Sequence, residues 1–350
     1  MLNSEYLSNL NENQREAVEC LDGPLLIVAG AGSGKTKVLT SRIAHIIKKN
    51  RAFPNQILAV TFTNKAAKEM QLRVSKLLRK EATGLPWLGT FHSISAKLLR
   101  KHADAIGLKS NFSIIDQDDQ VRLIKNICKA ENVDIKKISP KFILAIIDKW
   151  KNKGFYPQDV ILKRKDPLEK NFLSIYKIYQ EKLINLNSAD FSDLILHTLN
   201  IFEKYTDIAE LYAKKFKYIL VDEYQDTNHI QYLIVKKLAS KFMNICVVGD
   251  DAQSIYSFRG ANIQNILNFK NDYPNYTSYK LEQNYRSSST IVEAANSIIK
   301  NNEKQIQKTV WTDNPKGEKI IVVKTTSDND EGRLVANTIS DIKTKYQTQY

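Results

Sequence analysis

The sequence predicts an α/β fold in which helices cover both faces of a parallel sheet and a helical segment is inserted. Short apolar runs alternate with helical patterns through residues 1–100, and the alternation returns at 218–249. Residues 101–190 instead show apolar residues at helical spacing, with few strand signals. A glycine-rich turn joins the first apolar run to a helix. Alternating strands and helices are typical of parallel sheets, whose connections are helices on either face.

The composition excludes several classes of protein. Of 350 residues, 43% are apolar, which is enough for a sizeable core and two or three domains. The apolar runs are only strand-length, so we expect no transmembrane helix and no membrane partner. The first five residues lack the basic and apolar regions of a signal peptide. The scattered Cys20, Cys128 and Cys246 form neither metal spacing nor a disulfide framework, which predicts a reducing cytoplasm.

The charge of the chain points to a polyanionic partner. The net charge is +14, from 52 basic and 38 acidic side chains. Nucleic acid is the first candidate for such a partner. A general abundance of lysine is the alternative explanation, because lysine far outnumbers arginine here. The basic residues are spread along the chain, so charge alone does not locate a binding groove.

The first predicted strand, Leu25–Val28, leads into a candidate phosphate-binding loop. The loop residues are Ala29, Gly30, Ala31, Gly32, Ser33, Gly34, Lys35 and Thr36. The glycines let several backbone N–H groups converge, and the following helix start adds partial positive charge. Lys35 would reach the terminal phosphates of a nucleotide, and the Thr36 hydroxyl would hold Mg²⁺. A chance glycine-rich turn is the alternative, which the strand-to-helix context disfavours.

A later strand, Tyr218–Val221, ends in two carboxylates, Asp222 and Glu223. A buried parallel strand brings the side chains at its carboxyl end to the nucleotide site of such a sheet. Asp222 would hold Mg²⁺, directly or through water, and Glu223 would orient and deprotonate the attacking water. Acidic pairs alone are weak evidence, because most lie on solvated surfaces. After a buried strand, in a chain that has a phosphate loop, they predict nucleotide hydrolysis.

The remaining elements follow from the same periodicities. The further strands of the first unit are predicted at Ile57–Thr61, Trp87–Thr90 and Ile245–Gly249. Within the helical insertion, Val121–Cys128 and Phe142–Ile147 have helical apolar spacing. After about residue 281 a second α/β unit is predicted, with a helix near Ser289–Asn301, a strand at Lys319–Lys324 and a helix from Glu331 onward.

With these motifs, the chain resembles the superfamily 1 DNA helicases of the UvrD/PcrA/Rep group, from about residue 8 to its end. The resemblance implies a RecA-like P-loop NTPase motor domain 1A (residues 1–100 and 191–280), a helical insertion 1B (101–190) and the incomplete start of a second RecA-like domain 2A (281–350). It implies ATP and Mg²⁺ as ligands, and single-stranded DNA and its junctions with duplex DNA as partners. The implied activity is ATP-dependent 3′-to-5′ unwinding of duplex DNA in repair or replication.

Two segments resemble motifs that contact the nucleotide in this family. Leu10–Val18 is similar to the Q motif, whose glutamine, here Gln14, would read the adenine edge. An ordinary surface helix capped by Asn11 is the alternative. Val248–Ala261 is similar to motif III, in which Gln253 would sense the γ-phosphate.

A third segment, Gln283–Ser287, resembles motif IV of the family. The resemblance implies that Tyr285 stacks on the adenine. Arg286 would act as an arginine finger on the transferring phosphate. Surface packing is the alternative for an isolated tyrosine–arginine pair, and the order of the surrounding motifs disfavours it.

Ala59–Met70 resembles motif Ia, which touches single-stranded DNA in the family. Phe62 would stack on or beside a base, an interaction that tolerates any sequence. Thr63 and Asn64 would face the DNA backbone. A lone phenylalanine after a strand is more often a core residue, so this assignment depends on the family pattern around it.

Two other segments carry residues that the resemblance implies to be DNA contacts. His92, in a segment similar to motif Ib, would contact DNA or backbone rather than act as a catalytic base. In motif III, Tyr256, Phe258 and Arg259 would carry the γ-phosphate signal to the DNA bases.

The sequence shows no counterpart to the remainder of the second motor domain before Tyr350. We therefore expect a truncated form, for which a separately encoded C-terminal half is a candidate partner. Such a chain would bind ATP and single-stranded DNA, turn over slowly and be loosely ordered past about residue 281. The alternatives are a DNA-stimulated ATPase or translocase without unwinding, and an inactive fragment that binds ATP and DNA.

Overall fold

The computed structural model describes residues 5–78, 84–162, 167–303 and 305–346. The strands are β1 (Leu25–Ala29), β2 (Ile57–Thr61), β3 (Leu88–Thr90), β4 (Ser113–Ile114), β5 (Ser188–Ala189), β6 (Tyr218–Val221), β7 (Ile245–Gly249) and β8 (Thr277–Leu281). The α-helices found in these ranges are α1 (Glu5–Ser8), α2 (Glu12–Glu19), α3 (Lys35–Lys48), α4 (Asn64–Leu77), α5 (Phe91–Lys101), α6 (Gln117–Ala130), α7 (Pro140–Lys151), α8 (Pro167–Asn185), α9 (Phe191–Lys204), α10 (Thr206–Lys215), α11 (His229–Ala239), α12 (Gln264–Leu267), α13 (Phe269–Asp272), α14 (Ser289–Ile299) and α15 (Asp328–Tyr346).

A parallel sheet of six strands organises the fold, in the order β3-β2-β6-β7-β1-β8. Every pairing in it is parallel, with Leu25 of β1 opposite Cys246 of β7 on one side and Thr277 of β8 on the other. The predicted α/β class with a parallel sheet is confirmed. Because the strands run in the same direction, the loops that follow them meet at one edge of the sheet. The phosphate loop and the segments after β2, β3, β6 and β7 therefore share that edge.

Strands buried on both faces explain why the apolar runs were visible in the sequence. All five residues of β1 are buried. Leu26 and Val28 belong to the core on one face of the sheet, whereas Leu25 and Ile27 belong to the core on the other. A central parallel strand needs apolar residues on both sides, so it reads as a continuous run rather than an alternation.

The helical segment between α5 and α9 has a core of its own, built from α6, α7 and α8. A buried ion cluster joins this core to helix α9. Lys151, at the end of α7, lies 2.6 Å from a carboxylate oxygen of Asp190 and 2.7 Å from one of Asp193. The Tyr179 hydroxyl donates a further bond to Asp190. All three charged side chains are fully buried, and such charges are tolerated only when they are paired and hydrogen-bonded.

The second predicted unit differs from the structure in two elements. The strand predicted at Lys319–Lys324 is not formed, and Ile321 and Val322 there are 83% and 91% exposed. A strand requires a neighbour that pairs its backbone groups and covers one face, and no described residue does this. Strand β8 was not predicted, because it is an edge strand in which only Leu281 is buried. An edge strand lacks the apolar run of a central strand.

Among the described residues, no helix is both long enough and apolar enough to cross a membrane.

Candidate functional site

The loop between β1 and α3 depends on its glycines. Gly32 and Gly34 have φ values of 69° and 88°, a backbone conformation that L side chains rarely adopt. A Cβ atom on Gly32 would lie 2.7 Å from the Asn284 amide nitrogen and 2.8 Å from the Cβ of Arg286. The loop is therefore closely covered by the segment after β8, and a side chain at position 32 would separate the two.

One cavity of about 290 Å³ brings together most of the residues predicted to handle the nucleotide. Its lining residues are Ala31, Gly32, Ser33, Gly34, Lys35, Thr36, Lys37, Arg73, Glu223, Gln253, Tyr285 and Arg286. They come from five separate parts of the chain, and the common edge of the parallel sheet explains why they meet. Ala29 and Gly30 lie just before the cavity, where β1 ends.

Lys35 and Glu223 form an ion pair inside this cavity. The Lys35 ammonium lies 3.3 Å from a Glu223 carboxylate oxygen, and the side chains are 11% and 32% exposed. Glu223 has φ 49° and ψ 50°, a left-handed conformation that costs of the order of 1–3 kcal/mol in a residue other than glycine. Such a strained residue at the end of a strand points to a functional site. A phosphate group entering the cavity would compete for Lys35 and leave the Glu223 carboxylate free.

The oxygen atoms near the loop suit a magnesium ion held together with a nucleotide. Asp222 is 7% exposed, and its burial, reinforced by the charge of Glu223, raises its pKa to about 7. Burial and the neighbouring negative charge disfavour the ionised form of this carboxyl group, so a nearby cation would stabilise it. The Thr36 hydroxyl and Asp222 are hard oxygen donors, the class that Mg²⁺ binds while keeping waters and phosphate oxygens. Within the described ranges no cluster of three or more His, Cys, Asp or Glu could form an all-protein metal site.

Gln14 is placed differently from the free side chain that adenine recognition requires. It is 1% exposed, its amide nitrogen donates to the Ser33 carbonyl at 2.8 Å, and its amide oxygen accepts from the Asn11 backbone at 3.2 Å. The Asn11 side chain caps the helix in return. Both ends of the Gln14 amide are thus used within the protein. Contact with an adenine edge would require these bonds to be exchanged.

The segment after β8 is fastened to the phosphate loop by Asn284. Its amide nitrogen donates to the Ala31 carbonyl at 2.7 Å, and its amide oxygen accepts from the Arg286 backbone at 2.8 Å. Tyr285 adds a backbone bond to Gly32 at 3.0 Å. Asn284 is 4% exposed and was missed by the sequence analysis, although it lies within the motif that carries Arg286. These contacts hold the backbone of Arg286 at the cavity, although the sequence predicts loose order past about residue 281.

Arg73 is a second residue that the sequence analysis missed. It reaches the cavity from helix α4, where its guanidinium lies 2.5 Å from a Glu69 carboxylate oxygen. In the sequence it is one of many basic residues at helical spacing from an acidic one. No local signal distinguishes it from a residue on a solvated helix face.

An exposed aromatic patch, made by Phe62, Tyr256, Phe258 and Arg259, lies at the same edge of the sheet. The Phe62 and Tyr256 rings stack at 5.2 Å, and Tyr256 lies 5.9 Å from Phe258. The Arg259 guanidinium lies 5.2 Å from the centre of the Tyr256 ring. Phe62 is 37% exposed and Phe258 is 77% exposed, so neither ring is a core residue. Rings and a cation on an open surface are what stacking on nucleic-acid bases requires.

The other residues predicted to contact DNA have partners within the protein. The Thr63 hydroxyl caps helix α4, and the Asn64 amide oxygen accepts a weak bond of 3.4 Å from Thr90. His92 is half-buried, and the centres of its ring and the Phe191 ring lie 6.0 Å apart in an edge-to-face arrangement. Burial lowers the pKa of His92, so the ring is neutral near pH 7. Phe191, 52% exposed, was not predicted as a site residue and lies beside this histidine.

Comparison with known proteins gives matches over almost the whole chain. The family model described as the UvrD/REP helicase N-terminal domain matches residues 10–274, and that of the UvrD-like helicase C-terminal domain matches residues 279–350. Proteins named ATP-dependent DNA helicase PcrA from Staphylococcus aureus (strain Mu50) and Staphylococcus epidermidis (strain ATCC 12228) are each 48% identical over 333 residues. Those matches cover 95% of this chain and 46% of each relative, so the chain spans about half the length of the relatives.

Proposed function

The chain belongs to the UvrD/REP helicase family, and from this premise we propose that it binds and hydrolyses ATP as part of a DNA helicase motor. The observation that carries the proposal is the single cavity in which Lys35 pairs with Glu223 at 3.3 Å, with Gln253 and Arg286 in its lining. A lysine for phosphate, a carboxylate for water and an arginine for the developing charge are the parts that phosphoryl transfer needs.

In the proposed reaction, the terminal phosphate of ATP takes Lys35 away from Glu223. The released carboxylate orients a water molecule and accepts its proton as the water oxygen bonds to the γ-phosphorus. The bond from that phosphorus to the bridging oxygen breaks, and ADP leaves. Arg286 stabilises the negative charge on the transferring group, and Gln253 contacts the γ-phosphate. Mg²⁺, held by Thr36 and Asp222, would neutralise charge on the phosphate oxygens.

The proposed DNA site is the aromatic patch, with Thr63, Asn64 and His92 as further contacts. Its position on the sheet edge that also carries the nucleotide cavity supports a coupling between ATP hydrolysis and movement along a strand. Gln253 and Tyr256 are three residues apart in one loop after β7, which supports motif III as the link. We propose movement in the 3′-to-5′ direction, action at junctions of single- and double-stranded DNA, and a role in repair or replication.

The domain assignment is likewise a proposal: 1A from residues 1–100 and 191–280, 1B from 101–190, and 2A from residue 281 onward. The separate core of the 1B helices and the shared sheet of the 1A segments support it.

Cys20, Cys128 and Cys246 are free thiols, which supports a reducing compartment such as the cytoplasm.

ATP turnover by this polypeptide, measured with and without single-stranded DNA, tests the proposal. The change Lys35→Ala removes the ammonium that faces the phosphates and is expected to lower turnover by about 10²–10³-fold with folding unchanged. Lys49→Ala, an exposed lysine at the end of the same helix, is the matched control. Turnover of Lys35→Ala at the parent rate would mean that the loop is not the nucleotide site.

Removal of either exposed ring of the aromatic patch is expected to weaken single-stranded DNA binding. Phe62→Ala and Phe258→Ala should each cost about 1–3 kcal/mol of binding free energy, whatever the DNA sequence, because every base has a stacking face. Fluorescence anisotropy with a labelled oligonucleotide measures this. Binding should also weaken steeply as salt rises, because phosphate contacts release counterions.

Phe53→Ala is the control for these two changes. Phe53 is 72% exposed, close to the exposure of Phe258, but it precedes strand β2 and so lies toward the opposite edge of the sheet. We expect its loss to leave DNA affinity unchanged. Equal losses in all three variants, or binding that is insensitive to salt, would remove the patch from the DNA site.

A second candidate function is a DNA-stimulated ATPase or translocase that does not unwind. It is favoured by apolar side chains of the second motor unit that no described residue covers. They are the exposed run Ile320–Val323 and, on α15, Leu334, Ile339 and Ile342. We propose that further parts of a second motor domain, in a longer chain or a separate polypeptide, cover this surface. A strand-separation assay on a duplex with a 3′ single-stranded tail distinguishes the two functions.

A further inference from the structure

Lys308 is a buried lysine that the proposed function does not use. Its side chain is 5% exposed, and its ammonium lies 2.9 Å from a carboxylate oxygen of Asp250 and 2.7 Å from one of Asp251. The second oxygen of Asp251 accepts the backbone N–H of Ile306 at 2.7 Å. Both aspartates are almost fully buried. Charges so far from water are retained only when each has a partner, so this cluster holds its members in place.

The cluster lies at the end of a chain of hydrogen bonds that reaches the catalytic groups. Asp250 accepts a bond of 2.6 Å from the Gln253 amide, which fixes the proposed γ-phosphate sensor. The Asp250 backbone N–H donates to the Gln225 amide oxygen at 3.0 Å. The Gln225 amide nitrogen in turn donates to Glu223 at 2.9 Å. Gln225 is 1% exposed, so water does not compete for these bonds.

The segment that carries Lys308 also touches the phosphate loop. A Cβ atom on Gly30 would lie 2.5 Å from the side chain of Val310. Trp311 forms a parallel β-bridge with Gln283, which lies immediately before Asn284 and two residues before Tyr285. Residues 306–311, here called the linking segment, therefore contact both halves of the nucleotide site while belonging to the proposed second motor domain.

We propose that Lys308 is a positioning residue for ATP hydrolysis. The Lys308 ammonium fixes the position of Asp250. Asp250 in turn binds Gln253 through its carboxylate and Gln225 through its backbone N–H, and Gln225 binds Glu223. The linking segment therefore sets the position of the carboxylate that activates water. A shift of the second motor domain that moved Lys308 would change the rate of hydrolysis without changing the groups that bind the phosphates. This inference rests on the proposed function, since it assigns Lys308 to the reaction of that site.

The variants Lys308→Met, Lys308→Arg and Lys316→Met test the inference. At position 308, methionine removes the charge but keeps the approximate shape of the side chain, whereas arginine keeps a cation that can bridge two carboxylates. Lys316 is an exposed lysine nearby in the sequence and serves as the control. We expect Lys308→Met to lower kcat by about ten- to a hundredfold, the effect of a small misplacement of catalytic groups. KM and the Kd of a fluorescent non-hydrolysable ATP analogue should stay near the parent values. Lys308→Arg should recover most of the rate, and Lys316→Met should match the parent.

A purely structural role predicts a different pattern, in which kcat, nucleotide affinity and melting temperature fall together and arginine gives no recovery. That result, or a parent kcat for Lys308→Met, would overturn the inference. If Lys308→Met alone is unstable, the double variant Lys308→Met/Asp251→Asn removes opposite charges together and should fold but remain slow. A parent rate in the folded double variant would equally overturn it.

Measuring Lys35→Ala alongside separates the inference from the proposed function. Normal turnover of Lys35→Ala refutes the proposed function. Normal turnover of Lys308→Met together with an inactive Lys35→Ala refutes only this inference.

Discussion

The change Arg286→Ala is expected to lower ATP turnover by about 10³–10⁵-fold, the contribution of an arginine finger to phosphoryl transfer. Arg286 lines the proposed nucleotide cavity, and Asn284 binds both the Arg286 backbone N–H and the phosphate loop. The loss should appear in kcat, because charge on the transferring phosphoryl group develops only in the transition state. Single-turnover hydrolysis with excess protein measures it without interference from product release.

Arg286→Lys and Arg333→Ala are the controls for this prediction. Lysine keeps the charge but not the planar fork, so partial recovery would show that charge alone supplies part of the effect. Arg333 is a largely exposed arginine on α15 that pairs with Asp330, and its loss should leave turnover unchanged. If Arg286→Ala retains more than about a tenth of the parent rate, the arginine-finger role is wrong.

The second large effect is expected from Glu223→Gln, which should reduce hydrolysis by about 10²–10⁴-fold while ATP·Mg²⁺ binding is retained. Glutamine keeps the shape and one hydrogen-bonding oxygen but cannot accept the proton of the attacking water. Binding should even strengthen slightly, because Lys35 no longer has a carboxylate partner that competes with the phosphates. Equilibrium binding of a fluorescent ATP analogue and single-turnover hydrolysis measure the two quantities separately.

Glu210→Gln provides the matched control for this change. Glu210 is an exposed glutamate of α10 paired with Lys214 at 2.7 Å, and its replacement should affect neither quantity. An equal loss of binding and turnover in Glu223→Gln would instead identify Glu223 as a structural or metal-holding group. Retained turnover would exclude it as the base.

The residues after strand β8 show where expectation and structure diverge. The sequence predicts loose order past about residue 281. In the structure, Asn284 is instead bound to Ala31 of the phosphate loop, and Lys308 is paired with Asp250 and Asp251 after strand β7. Beyond them, the apolar side chains at Ile320–Val323 stay exposed and no strand forms in that stretch. The divergence has one cause: the earlier residues find contacts on the first part of the chain, whereas the later run has no neighbouring strand among the described residues.

The sequence by itself determined the features that depend on neighbours along the chain. Central strands appear as apolar runs because both their faces are buried, and the phosphate loop appears as glycines between a strand and a helix. The parallel sheet was confirmed on these signals. The set of motifs also pointed to the UvrD/REP family, to which the chain belongs.

Only the tertiary structure decided which of these residues are in contact and which already use their hydrogen-bonding groups within the protein. Lys308 and Asp251 are 57 residues apart, and Asn284 and Ala31 are 253 apart, so no periodicity relates them. Gln14 is taken up by the Ser33 carbonyl and the backbone of Asn11, which a motif does not reveal. The physical reason is that hydrogen bonds and ion pairs between distant segments form only after the sheet has brought its strand ends to one edge. The pattern of residues along the chain specifies the strands and helices, and the packing of these elements determines which side chains are bonded to each other.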